Sequence, residues 1–318
     1  MNKVSDNNSN SVTPEHFDVI IVGAGITGIG SAYHLQDQQP NKRFCILDSM
    51  ESFGGTWLTH NYPGIRSDSD LFTFGYRFKP WTGAPIASGK EIMNYMQEVI
   101  EDNHLTKHIR YNHQVLKANW SVELQLWTIN VFKKDTQESF TFTTNFLWMC
   151  QGYYKHDKGY IPEWDGKDDF EGELVHPQNW RKDLDYKNKK VVVIGSGATA
   201  ATLVPNIAED CEHVTVLQRS PTYFFPKKNE NPLTDQLRAL NIDEQWIHEI
   251  TRQQILQEQA GFIEMSTQYP KEVKKALIDG VREHLDEDFD VDKHFTPSYD
   301  PWRQRIAVVP NGDIFAGI

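Results

Sequence analysis

The sequence predicts an α/β protein built from two Rossmann-like dinucleotide-binding domains, with a helical insertion in the second. Three observations carry this reading. Asp18-Val19-Ile20-Ile21-Val22 runs straight into Gly23-Ala24-Gly25-Ile26-Thr27-Gly28. Lys190-Val191-Val192-Val193-Ile194 runs in the same way into Gly195-Ser196-Gly197-Ala198-Thr199-Ala200. Each is an apolar, β-branched run ending in a glycine-rich turn, the arrangement that sets a pyrophosphate at a helix N-terminus. From Asn231 to Asp292 the periodicity becomes helical, with Val273, Leu277, Val281 and Leu285 on one i, i+4 stripe.

The elements follow in order. Residues 1–14 are rich in Asn and Ser and read as a disordered tail rather than a signal peptide. The first nucleotide domain is assigned to residues 15–152. Its strand and turn lead into a helix over Ile29 to Gln36, then a second strand, Phe44 to Leu47. That strand ends in Asp48, 20 residues beyond Gly28. A carboxylate there accepts hydrogen bonds from ribose hydroxyls and repels a 2′-phosphate, which suits FAD or NAD. Ser52 to Pro85 is long, irregular and rich in glycine and aromatics, and such segments tend to be functional. In it, Gly54 and Gly55 allow close approach to a flat ring system, Thr56 follows, and Trp57 can pack on the ring or its rim. Lys90 to Asp102 reads as a helix with Ile92, Met93, Met96 and Ile100 along one side. Leu126 to Thr143 reads as a hairpin turning at Lys133 to Glu138, and Phe146 to Cys150 as a separate buried strand.

Residues 153–189 are polar and punctuated by proline, and read as an interdomain linker. The second domain takes residues 190–318, with the helical insertion at about 231–292. Its second strand, His213 to Leu217, is followed by Gln218-Arg219-Ser220. An arginine now stands in the acidic residue's place. Its planar fork pairs bidentately with phosphate, and Ser220 offers a second donor, so this site reads as one for NADPH. A chain that holds two dinucleotides most commonly passes a hydride between nicotinamide and flavin.

Composition narrows the class. The 318 residues are 39% hydrophobic and 24% charged, with a net charge of −12. That balance argues against a nucleic-acid binder. No apolar run approaches the ~20 residues of a transmembrane segment. Cys45, Cys150 and Cys211 form no CxxC pair and no metal-ligand spacing. They read as reduced core cysteines of a cytoplasmic protein, and their spacing argues against a disulfide reductase. Asp286, Asp288 and Asp290 alternate like the start of a calcium loop. Val291 and Pro297 stand where that loop needs glycine and glutamate, so no metal site is expected. Nothing in the sequence indicates an oligomeric state.

With these residues in view, the chain resembles the Baeyer–Villiger monooxygenases, a branch of the class B flavin-containing monooxygenases. Phe170-Glu171-Gly172-Glu173-Leu174-Val175-His176-Pro177-Gln178-Asn179-Trp180 matches the family fingerprint FxGxxxHxxxW just before the second turn. Arg181 departs from the proline or aspartate usual at the next position. The two turns, the Gly54-Gly55-Thr56-Trp57 segment, Tyr62-Pro63-Gly64-Ile65-Arg66-Ser67-Asp68 and Gln218-Arg219-Ser220-Pro221 match as well. The resemblance covers Phe17 to the C-terminus and looks closest to the subgroup that oxidises ketones and also the sulfur of sulfides and thioamides.

The resemblance implies an FAD- and NADPH-dependent enzyme. It would insert one atom of O2 into a small-molecule ketone, or add it to sulfur, through a flavin peroxide. It assigns Arg305, in Asp300-Pro301-Trp302-Arg303-Gln304-Arg305, as the cation beside the reacting oxygen, with Arg303 as the fallback, and Asp68 as the carboxylate that orients it. Cofactor contacts fall on the glycines and neighbours of both turns, on Asp48, on Gly54 to Trp57, on Asp68, and on Arg219 and Ser220. Gln304 stands where some members place a lysine for the 2′-phosphate. Phe170, Gly172, His176 and Trp180 are assigned to coupling the domains, His176 as a structural hydrogen-bonding residue rather than a base. The fingerprint argues against the related amine N-hydroxylases. The resemblance also implies a further segment that completes the flavin domain, so the chain reads as C-terminally truncated. The alternative expectation is therefore a remnant that binds nucleotide without catalysis, or oxidises NADPH uncoupled from oxygen transfer.

Overall fold

The computed structural model describes residues 13–318, so the tail expected over residues 1–14 lies outside it except for Thr13 and Pro14. The chain begins β1 (Glu15–Val22), α1 (Ile26–Gln38), β2 (Phe44–Leu47), α2 (Thr56–Thr59), α3 (Leu71–Phe74) and α4 (Gly89–Asp102). It continues β3 (Ile109–Arg110), β4 (His113–Ser121), β5 (Leu126–Lys133) and β6 (Glu138–Met149). Beyond an irregular stretch come β7 (Lys190–Ile194), α5 (Ala198–Ile207), β8 (His213–Leu217) and β9 (Tyr223–Lys227). Last are α6 (Pro232–Ala239), α7 (Glu244–Gln268), α8 (Pro270–Arg282), α9 (Val291–Phe295), β10 (Ile306–Pro310) and α10 (Asp313–Ala316).

Two compact units result. One takes in the chain up to Leu58 together with Tyr95–Tyr154; the other takes in Thr59–Asn94 together with Lys155–Ile318. The sequence reading had residues 59–94 in the first nucleotide domain. They pack with the second unit instead, because Tyr62 is buried among Ala200, Leu203, Val204 and Ile207 of α5.

The first unit is a six-stranded sheet in the order β3-β2-β1-β6-β5-β4. β1 pairs in parallel with β2 and β6, and β6, β5 and β4 form an antiparallel meander. Ile20 lies opposite Cys45 on one side and Leu147 on the other. A central parallel strand is covered on both faces, which explains the unbroken apolar run Val19 to Val22. Phe17, Ile20, Leu47, Ile129, Val131 and Phe142 make one core.

The hairpin forms where the alternation predicts it. The separate buried strand does not: β6 is one continuous strand that leaves β5 and carries on along β1. Phe146 and Met149 are half-exposed, and Phe146 and Trp148 border a shallow groove of about 330 Å³ with Val19 and Leu35. Apolar content predicted burial there, but burial depends on what crosses the strand, which residue type does not encode.

In the second unit, β7 and β8 pair in parallel, as do β9 and β10. α5 packs on β7 and β8, with Val193, Leu203, Val204 and Ile207 at the contact. The opposite face of the β7–β8 pair, Val192, Ile194 and Leu217, is open. The helices α6 to α9 fill the stretch expected to be helical. Val273, Leu277 and Val281 of the predicted stripe are buried in a second core with Tyr223, Phe224 and Phe315, and Leu285 packs at its margin. Asp290 accepts a hydrogen bond from the Lys293 N–H at 3.0 Å and so caps α9. Among the described residues, no helix is long and apolar enough to cross a membrane.

Candidate functional site

The first glycine turn joins β1 to α1, whose N-terminus opens directly after Gly25. Protein packs closely behind it. A Cβ on Gly23, at φ +107°, would stand 2.5 Å from the Cys150 carbonyl oxygen, and one on Gly28 would stand 1.8 Å from the Gly23 oxygen. Gly54 N–H donates to the Ala24 carbonyl at 3.0 Å, and a Cβ on Gly55 would meet the Gly25 Cα at 3.3 Å. The Gly54-Gly55 segment therefore lies bare backbone against bare backbone on the turn. Thr56 and Trp57 open α2 immediately after it.

Asp48 is buried at the end of β2, and both carboxylate oxygens accept backbone N–H groups. One comes from Ala24 at 2.6 Å and the other from Met50 at 2.7 Å. The residue predicted to meet a ribose thus also pins the turn to the second strand. Carboxylate lone pairs outnumber these two donors, so acceptor capacity is left over.

The second turn has the same local course and a different surrounding. Gly195 takes φ +127°, its N–H donates to the Leu217 carbonyl at 2.8 Å, and α5 starts after Gly197. A Cβ on Gly195 or Gly197 would meet nothing within 4 Å. No protein atom fills the space beside these glycines, and the N-terminus of α5, where the first N–H groups lack intrahelical partners, follows directly. Ser196 Oγ donates to the Ser220 carbonyl at 3.1 Å and lies 3.0 Å from Thr222 Oγ1, tying the turn to the loop after β8. Arg219 is exposed in that loop. Ala198 is the first residue of α5, and Thr199, in its first turn, is hydrogen-bonded to the buried Tyr62 hydroxyl.

Asp68 and Arg305 come together within the second unit, 3.5 Å apart, both side chains about half-exposed. Packing around the Asp68 carboxyl pushes its pKa up, and Arg305 and then Arg66 pull it back. Arg305 sits immediately before β10, where Ile306 pairs with Tyr223 of β9. Tyr223 is fully buried, donates its hydroxyl hydrogen to the Tyr299 carbonyl, and is pushed up to about 12 by burial. The stretch from Tyr299 to Arg305 is thus fixed at both ends. Between them Trp302 takes φ +62°, a conformation bulky residues rarely adopt. Arg303 and Gln304 are exposed in the same turn, and Arg305, not Arg303, pairs with Asp68.

The fingerprint folds on itself. The Phe170 ring covers Gly172, where a Cβ would stand 2.4 Å from the ring. His176 Nδ1 accepts the Gln178 N–H at 3.2 Å, which requires that nitrogen to be unprotonated, and burial lowers the ring's pKa in keeping. Trp180 packs edge-on to Tyr186, with centroids 5.6 Å apart.

Sequence reasoning missed Arg66 and Asp313. Arg66 forms a two-pronged ion pair with Asp313, Nη2 to Oδ1 at 3.2 Å, and its side chain is only 15% exposed. It also missed Asn229. That side chain accepts from the Ile86 N–H at 2.7 Å and donates to the Ile86 carbonyl at 3.0 Å. The available signal was position alone: Arg66 two residues before Asp68, and Asp313 just past the strand that Arg305 precedes.

Comparison with known proteins fits this geometry. Residues 86–255 match the flavin-binding monooxygenase-like family, and residues 21–85 match the NAD(P)-binding Rossmann-like domain. The chain belongs to the flavin-binding monooxygenase-like family. It is 47% identical over 306 residues to the FAD-containing monooxygenase EthA of Mycolicibacterium smegmatis, covering 96% of this chain and 62% of that protein. It is 44% identical over 303 residues to the probable FAD-binding monooxygenase AlmA of Acinetobacter baylyi, covering 95% of this chain and 60% of that one. Among solved structures, OTEMO in complex with FAD and NADP superposes with a TM-score of 0.75 at 22% identity, over 95% of this chain and 64% of that chain. Cyclohexanone monooxygenase from Rhodococcus sp. Phi1 bound to NADP+ does so with a TM-score of 0.68 at 21% identity, over 96% and 63%. At those identities the likeness is one of fold. The chain spans about 62% of the length of the EthA relative.

Proposed function

We infer that this chain serves an FAD- and NADPH-dependent monooxygenase that places one oxygen atom of O2 into a ketone or onto sulfur. The observation that carries this reading is the Asp68–Arg305 pair, in the same compact unit as an open glycine turn, in a member of the flavin-binding monooxygenase-like family. EthA, a relative at 47% identity, is named as an FAD-containing monooxygenase, which supports the same reading.

The residues fit the two cofactors. The first turn offers the α1 N-terminus and the spare acceptor capacity of Asp48. These suit a pyrophosphate and ribose whose 2′-hydroxyl is unmodified. The second turn offers a cradle that a Cβ could enter freely, with Ala198 and Thr199 opening α5, and with Arg219 and Ser220 in the neighbouring loop. These suit NADPH. When bound, the two cofactors supply the hydride and the oxygen-activating redox chemistry.

The chain's own contribution is charge and position. Arg305 holds a guanidinium that cannot be deprotonated, so it stabilises negative charge on the oxygen being transferred. Asp68 orients it from 3.5 Å away, with both side chains about half-exposed. The His176 geometry supports a turn-forming role within the fingerprint rather than proton transfer. Phe170, Gly172 and Trp180 support the same loop.

Arg305→Ala tests this. Oxygenation of a cyclic ketone or a methyl aryl sulfide is expected to fall about 10²- to 10³-fold, the scale of losing one fixed charge-stabilising donor. Reduction of bound flavin by NADPH is expected to stay within a few-fold of the parent. Equal loss of both, or retained oxygenation, overturns the assignment.

A further inference from the structure

Four charged groups alternate in sign through the second unit: Asp313, Arg66, Asp68 and Arg305. Arg66 and Asp68 lie two residues apart on one stretch. That stretch is held flat against residues 85–89 by backbone bonds. Ser67 N–H donates to the Ala87 carbonyl at 2.8 Å, Gly89 N–H to the Ile65 carbonyl at 2.8 Å, and Leu71 N–H to the Pro85 carbonyl at 2.7 Å. Their partners bracket a single strand, Arg305 just before β10 and Asp313 at the start of α10 after it. Arg66 is the better buried of the two arginines, with 15% side-chain exposure against 62% for Arg305. It also lies close enough to Asp68 to pull that carboxyl's pKa down. Asp68 therefore has two arginines within electrostatic reach and pairs with only one.

We propose that Asp313 is a positioning residue that sequesters Arg66 in a two-pronged pair and so reserves the Asp68 carboxylate for Arg305. Two N–H···O bonds to one carboxylate fix a guanidinium in direction as well as place. Without the Asp313 charge, the partly buried Arg66 cation needs another anion, and Asp68, two residues along the same stretch, is one its charge already reaches. Arg305 then loses its orienting partner although neither member of that pair has been altered. The inference rests on the assigned role of Arg305 for its functional meaning, but the competition itself is a property of the fold.

The test is the coupling between residues 68 and 305, read from thermal unfolding of the chain as the parent, Asp68→Asn, Arg305→Gln and the double variant. The set is repeated in an Asp313→Asn background and in an Asp313→Asn/Arg66→Gln background. The expected result is a non-additive shift of about one to two degrees in the parent, the scale of a half-exposed pair. It is lost with Asp313→Asn alone and regained when Arg66→Gln removes the competitor. Coupling that survives Asp313→Asn, coupling that stays lost in the third background, or no coupling in the parent each overturns the proposal. No turnover is needed. Failure of the functional reading shows separately, as an Arg305→Ala variant that still oxygenates.

Discussion

The two glycine turns share a motif and differ in what stands behind the glycines. At the first turn the missing Cβ atoms make room for the protein itself, for the Cys150 carbonyl behind Gly23 and for the turn's own backbone behind Gly28. At the second turn the missing Cβ atoms make room for nothing the chain supplies, since Gly195 and Gly197 face open space. Glycine in the same spacing is thus required by packing in one unit and left free of packing in the other. A motif reports the local chain path, and only the surroundings say which of the two holds at each residue.

The largest effect that separates the turns is expected at Gly28. Gly28→Ala would drive a methyl into the Gly23 oxygen, where backbone rather than a flexible side chain must yield. A loss of about 3 kcal/mol or more in urea unfolding is expected, at the upper end of overpacking costs. A change under about 0.5 kcal/mol would show that the first turn is as open as the second.

Arg219→Ala comes next. Losing a charge-assisted, bidentate phosphate contact should weaken NADPH binding about 10- to 100-fold, as measured by titration, and leave NADH binding unchanged. Equal weakening of both coenzymes would remove Arg219 from the 2′-phosphate. Gly197→Ala sharpens the contrast with Gly28. Its φ of −86° suits alanine and its Cβ meets no protein atom, so unfolding should hardly move. NADPH affinity should nevertheless drop about tenfold, because the methyl occupies the space a pyrophosphate needs.

The smallest effect is on pH dependence. His248 is fully buried on α7, and its Nδ1 accepts the Trp81 N–H at 3.1 Å. Burial, with help from Arg252, lowers its pKa. Unfolded, the ring returns to about 6.5 and takes up a proton that the folded chain refuses. Stability contributed by the neutral ring is therefore present above pH ~6.5 and is lost as pH falls below it. His248→Gln should flatten that decline in thermal midpoint between pH 7 and pH 5. An unchanged slope would place the titration elsewhere, with His108 and His176, also shifted downward, the next to examine.

Much of the first unit was legible because its signals are local. The β1 run, the hairpin alternation and the second-strand terminus at Asp48 each lie within a dozen residues of the feature they specify. The pairing of Asp68 with Arg305 was legible only through resemblance, since more than two hundred residues separate them. What stayed hidden was long-range and had no repeating signature. Residues 59–94 join the second unit through Tyr62 on α5 and through the Asn229 clamp on Ile86, contacts that periodicity cannot reveal. Arg66 stood out only as part of the Tyr62–Asp68 match, and nothing local to Asp313 marks it as the partner. Phe146 and Met149 looked buried because apolar strands usually are, and the outer half of β6 is not. Asp48 was assigned to a ligand, and the two backbone N–H groups it accepts are visible only once β2 is laid beside β1.

The central claim is that one chain holds two dinucleotides in two unlike turns. It is tested most directly by incubating the purified chain with FAD, removing unbound flavin, and recording its visible absorbance before and after NADPH is added without oxygen. The account predicts a retained flavin spectrum that bleaches with NADPH, and one that no longer bleaches at low NADPH in Gly197→Ala. A chain that retains no flavin, or retains flavin that NADPH leaves oxidised, would contradict it.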